Sequence, residues 1–258
     1  MKRERTYVNE RRRQILEIMQ ENPQVRVNDL AERFQVSLIT IRRDLQYLED
    51  RKQLVRFYGG ASCANQESVR QNEIRMYRKL IAMYAATLVE DGDSLFINTS
   101  TNALQMLEYV TKSNVTVITN NGKAIHANHP DGISIILTGG ELRHPKDAMV
   151  GDFAMRNLQT VFPKKAFMGC SGISLLSGIT TEIAGEVKIN ELMIENARNE
   201  VYILADHTKI GHDSSFTSSP IQGIRHLITD EKASEDVLAE FRNVGVDVYQ
   251  VHKGDFEL

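Results

Sequence analysis

Two sets of residues in this 258-residue chain have the types and spacing to do chemistry. One is Arg42-Arg43, with Ser37, Leu38 and Thr40 before it and Gln46 after it. Guanidinium forks, hydroxyls and a carboxamide are the groups that hydrogen-bond base edges in a DNA major groove. The other set is scattered along the chain: Asn98, Ser100, Thr101 and Asn102, then Asn120, Gly139-Gly140, Gly172, Glu182, and Asp206 with Lys209. Carboxamides, hydroxyls and carboxylates suit sugar hydroxyls, while a lysine and free backbone N–H groups at a helix start suit a phosphate. Asp206, Glu182 and Lys209 are also the right types for proton transfer, so an isomerase-like enzyme with an accessory nucleic-acid module is the alternative.

The first set needs a short helix to present it. Ser37 is a good N-cap, and Leu38, Ile41, Leu45 and Leu48 recur at helical spacing, which predicts that they face a core and leave Thr40, Arg42, Arg43 and Gln46 outside. Upstream, Ile15, Leu16, Ile18 and Met19 give a first helix an apolar side that ends at Asn22-Pro23. Asn28 is the expected cap of a second helix carrying Leu30, Ala31 and Phe34, and Gln35-Val36-Ser37 is too short for anything but a tight turn. Downstream, Leu54 to Tyr58 is rich in β-formers and stops at Gly59-Gly60, which reads as a small wing that brings Arg56 and Tyr58 beside the helix. Together these predict a winged helix-turn-helix. Charged pairs on helices are most often solvated surface, but the first 60 residues carry 13 Lys and Arg against 9 Asp and Glu, while the whole chain has net charge -3. Arg3, Arg5, Arg11, Arg12 and Arg13 are candidates for phosphate contacts.

The second set sits in loops. From Ser94 onward, apolar runs at 94–97, 115–118, 133–137, 165–168, 201–205, 226–228 and 247–251 alternate with helical stretches. That alternation predicts an α/β domain with a mostly parallel, doubly wound sheet. The polar residues follow the downstream strand ends, where open α/β sheets bind ligands, so the loops are expected to converge on one crevice. Ser, Thr and Asn at a helix start are more often simple caps, and Gly139-Gly140 reads equally well as a plain turn; only the combination points to a ligand.

Length accommodates two domains: 1–61 for the winged helix, a polar linker at 62–74, and 75–258 for the α/β domain. Cys63 and Cys170 are far apart, without metal-ligand or CxxC spacing, which favours reduced thiols and a cytoplasmic protein. No apolar run is long enough for a membrane span, and no metal or cofactor is expected. His126 and His129 have i, i+3 spacing with His144 beyond, but acidic or thiol partners that would complete a zinc set are missing. An RNA reader is disfavoured because no aromatic-rich β surface appears.

The run DLAERFQVSLITIRRDLQYLE, followed by LVRFYGGA, resembles the N-terminal domain of the DeoR family of bacterial regulators of sugar metabolism. Lys52 stands where the family usually has a glycine, which puts a non-glycine residue at a turn suited to glycine. The resemblance extends over nearly the whole chain, and implies an effector domain similar to ribose-5-phosphate isomerase folds that senses a phosphorylated sugar. It maps ligand contacts to Asn98–Asn102, Asn120, Gly139-Gly140, Gly169–Gly172, Thr181-Glu182, Lys188 and the stretch from Asp206 to Gly211. Here the chain departs from the family again: Asn98 replaces an aspartate, and Ser100-Thr101-Asn102 replaces a Gly-Ser/Thr-Thr run, changing hydroxyl recognition and crowding the approach of a phosphate. The resulting expectation is a non-enzymatic transcriptional regulator, a repressor of a carbohydrate-utilisation operon, binding double-stranded operator DNA as a homodimer or homotetramer under control of a phosphosugar.

Overall fold

The structure, a computed structural model, describes residues 2–22, 24–63, 66–198 and 200–256; the side chains of 2–6, 20, 21, 63 and 66–69 lie outside that description. The chain forms two compact units, Met1–Arg75 and Met76–Leu258.

The first unit runs α1 (Lys2–Glu21), β1 (Gln24–Arg26), α2 (Val27–Phe34), α3 (Leu38–Asp50), β2 (Leu54–Phe57) and β3 (Gly60–Cys63). The strands form an antiparallel sheet in the order β1-β3-β2, the wing behind a helix-turn-helix. Its core gathers Ile15, Met19, Leu30, Ile41, Leu45, Leu48 and Leu54. Two expectations are corrected. Asn28 does not cap α2, because the helix already begins at Val27, whose N–H donates to Gly59 O of the wing at 2.9 Å. Leu38 is exposed, since on the first turn it projects past the core and leaves the burial to Ile41. Gln35, which ends α2, and Lys52, the turn residue before the wing, both take the left-handed conformation, at φ 53° and 58°.

The second unit continues along α4 (Gln66–Thr87), which crosses the unit boundary. Of the stretch 62–74, expected as linker, 62–63 are the end of β3 and 66–74 the first turns of this helix; a polar stretch of Gln, Glu and Arg is as good a helix former as a spacer. Then follow β4 (Ser94–Ile97), α5 (Thr101–Gln105), β5 (Val115–Thr119), β6 (Ile133–Leu137), β7 (Glu141–Arg143), β8 (Ala148–Val150), α6 (Asp152–Gln159), β9 (Lys165–Gly169), β10 (Gly172–Ser174) and β11 (Gly178–Thr181). The chain closes with α7 (Ala184–Asn196), β12 (Glu200–Leu204), β13 (Phe216–Ser219), β14 (His226–Asp230), α8 (Glu235–Asn243) and β15 (Asp247–Val251).

All seven expected strands lie in one sheet, ordered β15-β14-β12-β9-β4-β5-β6, with every pair parallel. Side chains alternate across it. Phe96, Ala166, Met168 and Ile203 pack with Leu158, Ile189, Met193, Leu238 and Phe241 on the side of α6, α7 and α8. Leu95, Ile97, Phe167 and Leu204 pack with Tyr77, Leu80, Ile81 and Leu107 on the side of α4 and α5. The strand order reverses between β4 and β9, which is where such a sheet opens a crevice. Two accessory pieces were not expected from the sequence, the β7–β8 hairpin and a small antiparallel sheet β10-β11-β13.

Candidate functional site

In the first unit, Ser37 Oγ accepts from Thr40 N–H at 3.2 Å and fixes the start of α3. Arg42, Arg43 and Gln46 are exposed along it, and among the described residues no acidic side chain pairs with either arginine. Arg56 is tied back: its guanidinium donates to Gln46 Oε1 and lies 3.7 Å from Glu49, while its N–H donates to Glu49 at 2.9 Å. Gln46 also donates to Asp50 at 2.8 Å, so Arg56 and Gln46 brace the wing against α3. Tyr58 stands fully exposed at the wing tip.

The other basic residues behave differently from the expectation. Arg11 and Arg12 reach into the unit and pair with buried Asp44 at 2.6 and 2.8 Å, and Arg12 also lies over the Tyr47 ring at 3.6 Å. Their charges answer a buried carboxylate, so they set the angle between α1 and α3 instead of meeting phosphate. Arg13 pairs on the surface with Glu10 and Glu17. The side chains of Arg3 and Arg5 are outside the described residues.

In the second unit a cleft of about 230 Å³ opens beyond the C-terminal ends of β4, β9 and β12. It brings together Asn98, Ser100, Thr101, Asn102, Glu182, Asp206 and Lys209, seven of the expected ligand residues. Asn98 is buried and works as a clamp: its amide donates to Gly169 O at 2.9 Å and to Asn190 Oδ1 at 3.2 Å, while its Oδ1 accepts from Gly169 N–H at 3.0 Å and Ser100 N–H at 3.2 Å. A carboxylate could not donate to Gly169, so asparagine here joins β4 to β9. Ser100 occupies the space beside Gly169, where a Cβ would come within 1.9 Å of its Oγ. Its cap on α5 is a long 3.4 Å contact on a helix of only five residues, too short to gather much dipole.

Five expected ligand residues lie outside the cleft. Asn120 is buried, with its backbone and amide bonded to Met149 of the hairpin. Gly140 lets the chain pass Val150 and Ala154, where a Cβ would meet Val150 O at 2.6 Å; Gly139 is the neighbouring turn at φ 67°. Gly172 lies against the 209–212 loop, with 2.4 Å to His212 O for an added Cβ. Lys188 faces outward on α7 and pairs with Glu191 at 2.8 Å. His207, a neighbour of the cleft in sequence, turns to buried Asp230 at 2.9 Å.

Sequence reasoning missed Arg78, Lys123, Lys146, Glu186 and Asn190, all in the cleft wall. Glu186 is buried and receives Thr99 and Thr181 hydroxyls at 2.8 and 3.0 Å, with Lys146 at 3.6 Å. Arg78, on α4, holds Asp206 at 2.7 Å. Burial pushes the Asp206 carboxyl up, but hydrogen bonds from Thr208 and Arg78 outweigh it and hold its pKa below the ordinary value. With those two carboxylates answered by Arg78 and Lys146, Lys123 and Lys209 remain as ammonium groups for which the described residues provide no carboxylate partner. Cys170 is a protonated thiol, its pKa pushed up to about 12 by burial, with Lys209 pulling weakly the other way.

Residues 11–67 match the family model of the DeoR-like helix-turn-helix domain, and residues 75–231 that of the DeoR C terminal sensor domain. The chain belongs to the DeoR family. The uncharacterized HTH-type transcriptional regulator YulB of Bacillus subtilis is 33% identical over 86% of this chain and 89% of its own. The putative aga operon transcriptional repressor of Escherichia coli is 29% identical over 95% of both. The lactose phosphotransferase system repressor of Staphylococcus aureus is 28% identical over 89% of this chain and 94% of its own. Ribose 5-phosphate isomerase from Plasmodium falciparum is similar over 52% of each chain, at TM-score 0.36 and 15% identity, which is too remote to speak for catalysis. As a DeoR-family member the chain is a DNA-binding transcriptional regulator and not an enzyme. Among the described residues, no helix is long and apolar enough to cross a membrane.

Proposed function

We propose that this regulator represses a carbohydrate-utilisation operon in the cytoplasm, and that a phosphorylated sugar in the cleft controls its hold on operator DNA. The observation that carries the reading is the pair Lys123 and Lys209, cations without carboxylate partners among the described residues, in a cleft whose wall also holds hydroxyls, amides, two neutralised carboxylates and the exposed Glu182. A phosphate answers the lysines, and Thr101, Asn102, Ser171 and Glu182 lie beside it for the hydroxyls of the sugar. Asn98, Ser100 and Asp206 shape the wall from behind. The names of two relatives, repressors of the aga operon and of the lactose phosphotransferase system, favour the same class of control. Arg42 and Arg43 read base edges, with Ser37, Thr40 and the wing placing them, and a homodimer or homotetramer supplies two such helices for paired half-sites.

The test is DNA binding by the full chain to a duplex enriched from random sequence, titrated with sugar phosphates and their unphosphorylated parents at fixed salt. One phosphosugar is expected to change the affinity at least about tenfold, the usual order of an allosteric coupling, and its parent sugar to leave it unchanged. Equal response to both, or to neither across the panel, contradicts the proposal.

A further inference from the structure

Ile39 is an apolar side chain, 60% exposed, at the N-terminal end of the basic face of α3. It takes no part in the hydrophobic cluster of its unit, to which Ile41, Leu45 and Leu48 belong. Helical spacing puts it three residues before Arg42, four before Arg43 and seven before Gln46, so these four share one face. It also lies in the first turn, just after the Ser37 cap, and the N-terminal part of a recognition helix is the part that reaches base edges.

An isoleucine there can offer a duplex neither a donor nor an acceptor. What the major groove offers it is the C5-methyl of thymine, the apolar group among the base edges. We propose that Ile39 is a specificity-determining residue that reads a thymine methyl, next to base pairs read by Arg42 or Arg43. The inference rests on α3 being the DNA-reading helix and is independent of what the cleft binds. Burial of the isoleucine against the methyl removes water from both, whereas a cytosine in its place has no C5-methyl and offers the aliphatic side chain no apolar group to cover. The arginines recognise by hydrogen bonds, and Ile39 favours the base that brings a methyl group to its position.

Replacing thymine by uracil removes that methyl and nothing else. The experiment enriches duplexes from a random pool with the full wild-type chain, then measures affinity at fixed salt for the common sequence and for copies with uracil at each thymine in turn, using wild type and Ile39→Ala. Uracil at one thymine of each half-site is expected to weaken wild-type binding about fourfold, the equivalent of about 0.8 kcal/mol for one buried carbon. Ile39→Ala is expected to weaken binding to the thymine duplex and to be indifferent to uracil at that position. Because Ile39 is exposed and outside the core, the variant should keep the wild-type unfolding midpoint. Tolerance of uracil at every thymine, or the same uracil penalty in Ile39→Ala, overturns the assignment of Ile39 alone. Enrichment of no common sequence overturns the reading of α3 and Ile39 with it.

Discussion

Asn98 and Gly169 exchange two hydrogen bonds, the asparagine amide donating to the glycine carbonyl at 2.9 Å and the glycine N–H donating to the asparagine carbonyl at 3.0 Å. They join the ends of β4 and β9 at the point where the strand order reverses, so the floor of the cleft is set by a side chain imitating a backbone ladder. Asn98→Asp keeps the shape but turns a donor into an acceptor facing Gly169 O and Asn190 Oδ1. Buried and left unpaired, it should destabilise the second unit by about 3 kcal/mol. Denaturant unfolding of the variant measures this, and a loss below about 1 kcal/mol would contradict the clamp.

Asp44 is the matching element of the first unit. Asp44→Ala leaves Arg11 and Arg12, which are 15% and 18% exposed, facing each other without an acid. The expected cost is about 2 to 4 kcal/mol, discounted from a fully buried pair because both guanidiniums keep some solvent. Hydrogen exchange in α1 and α3 should speed up, while β4 and β9 are unaffected.

Arg42→Ala and Arg43→Ala should behave in the opposite way. Both side chains are exposed, so stability is expected to stay within about 0.5 kcal/mol of wild type. Binding to the enriched duplex should weaken by about 1 to 3 kcal/mol for an arginine that reads a base. Unchanged discrimination between that duplex and random DNA, in both variants, would reduce the pair to surface charge.

The legibility of these parts from sequence differs for physical reasons. The five inner strands of the large sheet are buried on both faces, so their composition is a largely apolar run bounded by polar turns, while the edge strands β6 and β15 keep a more exposed face. Strands β7, β8, β10 and β11 have three or four residues, with Gly opening β10 and β11, and they lack a pattern long enough to detect. The cleft's position follows from strand ends, which is why Asn98–Asn102 and Asp206–Lys209 were found. Arg78, Lys123 and Lys146 look like any solvated basic residue until the chain is folded. Glu186 and Asn190 did leave a signal, a polar pair at i, i+4 flanked by Ile189 and Met193 on a helix with an apolar side. Gly140 and Gly172 serve close packing, and in sequence a glycine needed for tight packing is indistinguishable from one needed for a ligand.

Acid should destabilise the second unit partly through Asp206. Its folded-state pKa is depressed, so its contribution is present above the unfolded value of about 4 and is lost as pH falls through the lowered folded value. Asp93 is held low as well: burial raises it, but the Glu90 backbone N–H and the Lys165 and Lys164 ammonium groups outweigh that. Asp206→Asn should therefore flatten in part the fall in stability below about pH 5, to which Asp93 contributes as well. A profile as steep as that of wild type would contradict the role of the Arg78–Asp206 pair.

The central claim is that Lys123 and Lys209 hold a phosphate. Thermal unfolding of the full chain against a panel of sugar phosphates and parent sugars, in wild type and Lys209→Ala, tests it most directly. At about 100 times its dissociation constant a ligand adds about 2.7 kcal/mol, which moves the second unit's midpoint by about 5 to 10 °C. That shift is expected from one phosphosugar, none from its parent, and its loss in Lys209→Ala. A shift from the parent sugar alone, or an undiminished shift in Lys209→Ala, would contradict it.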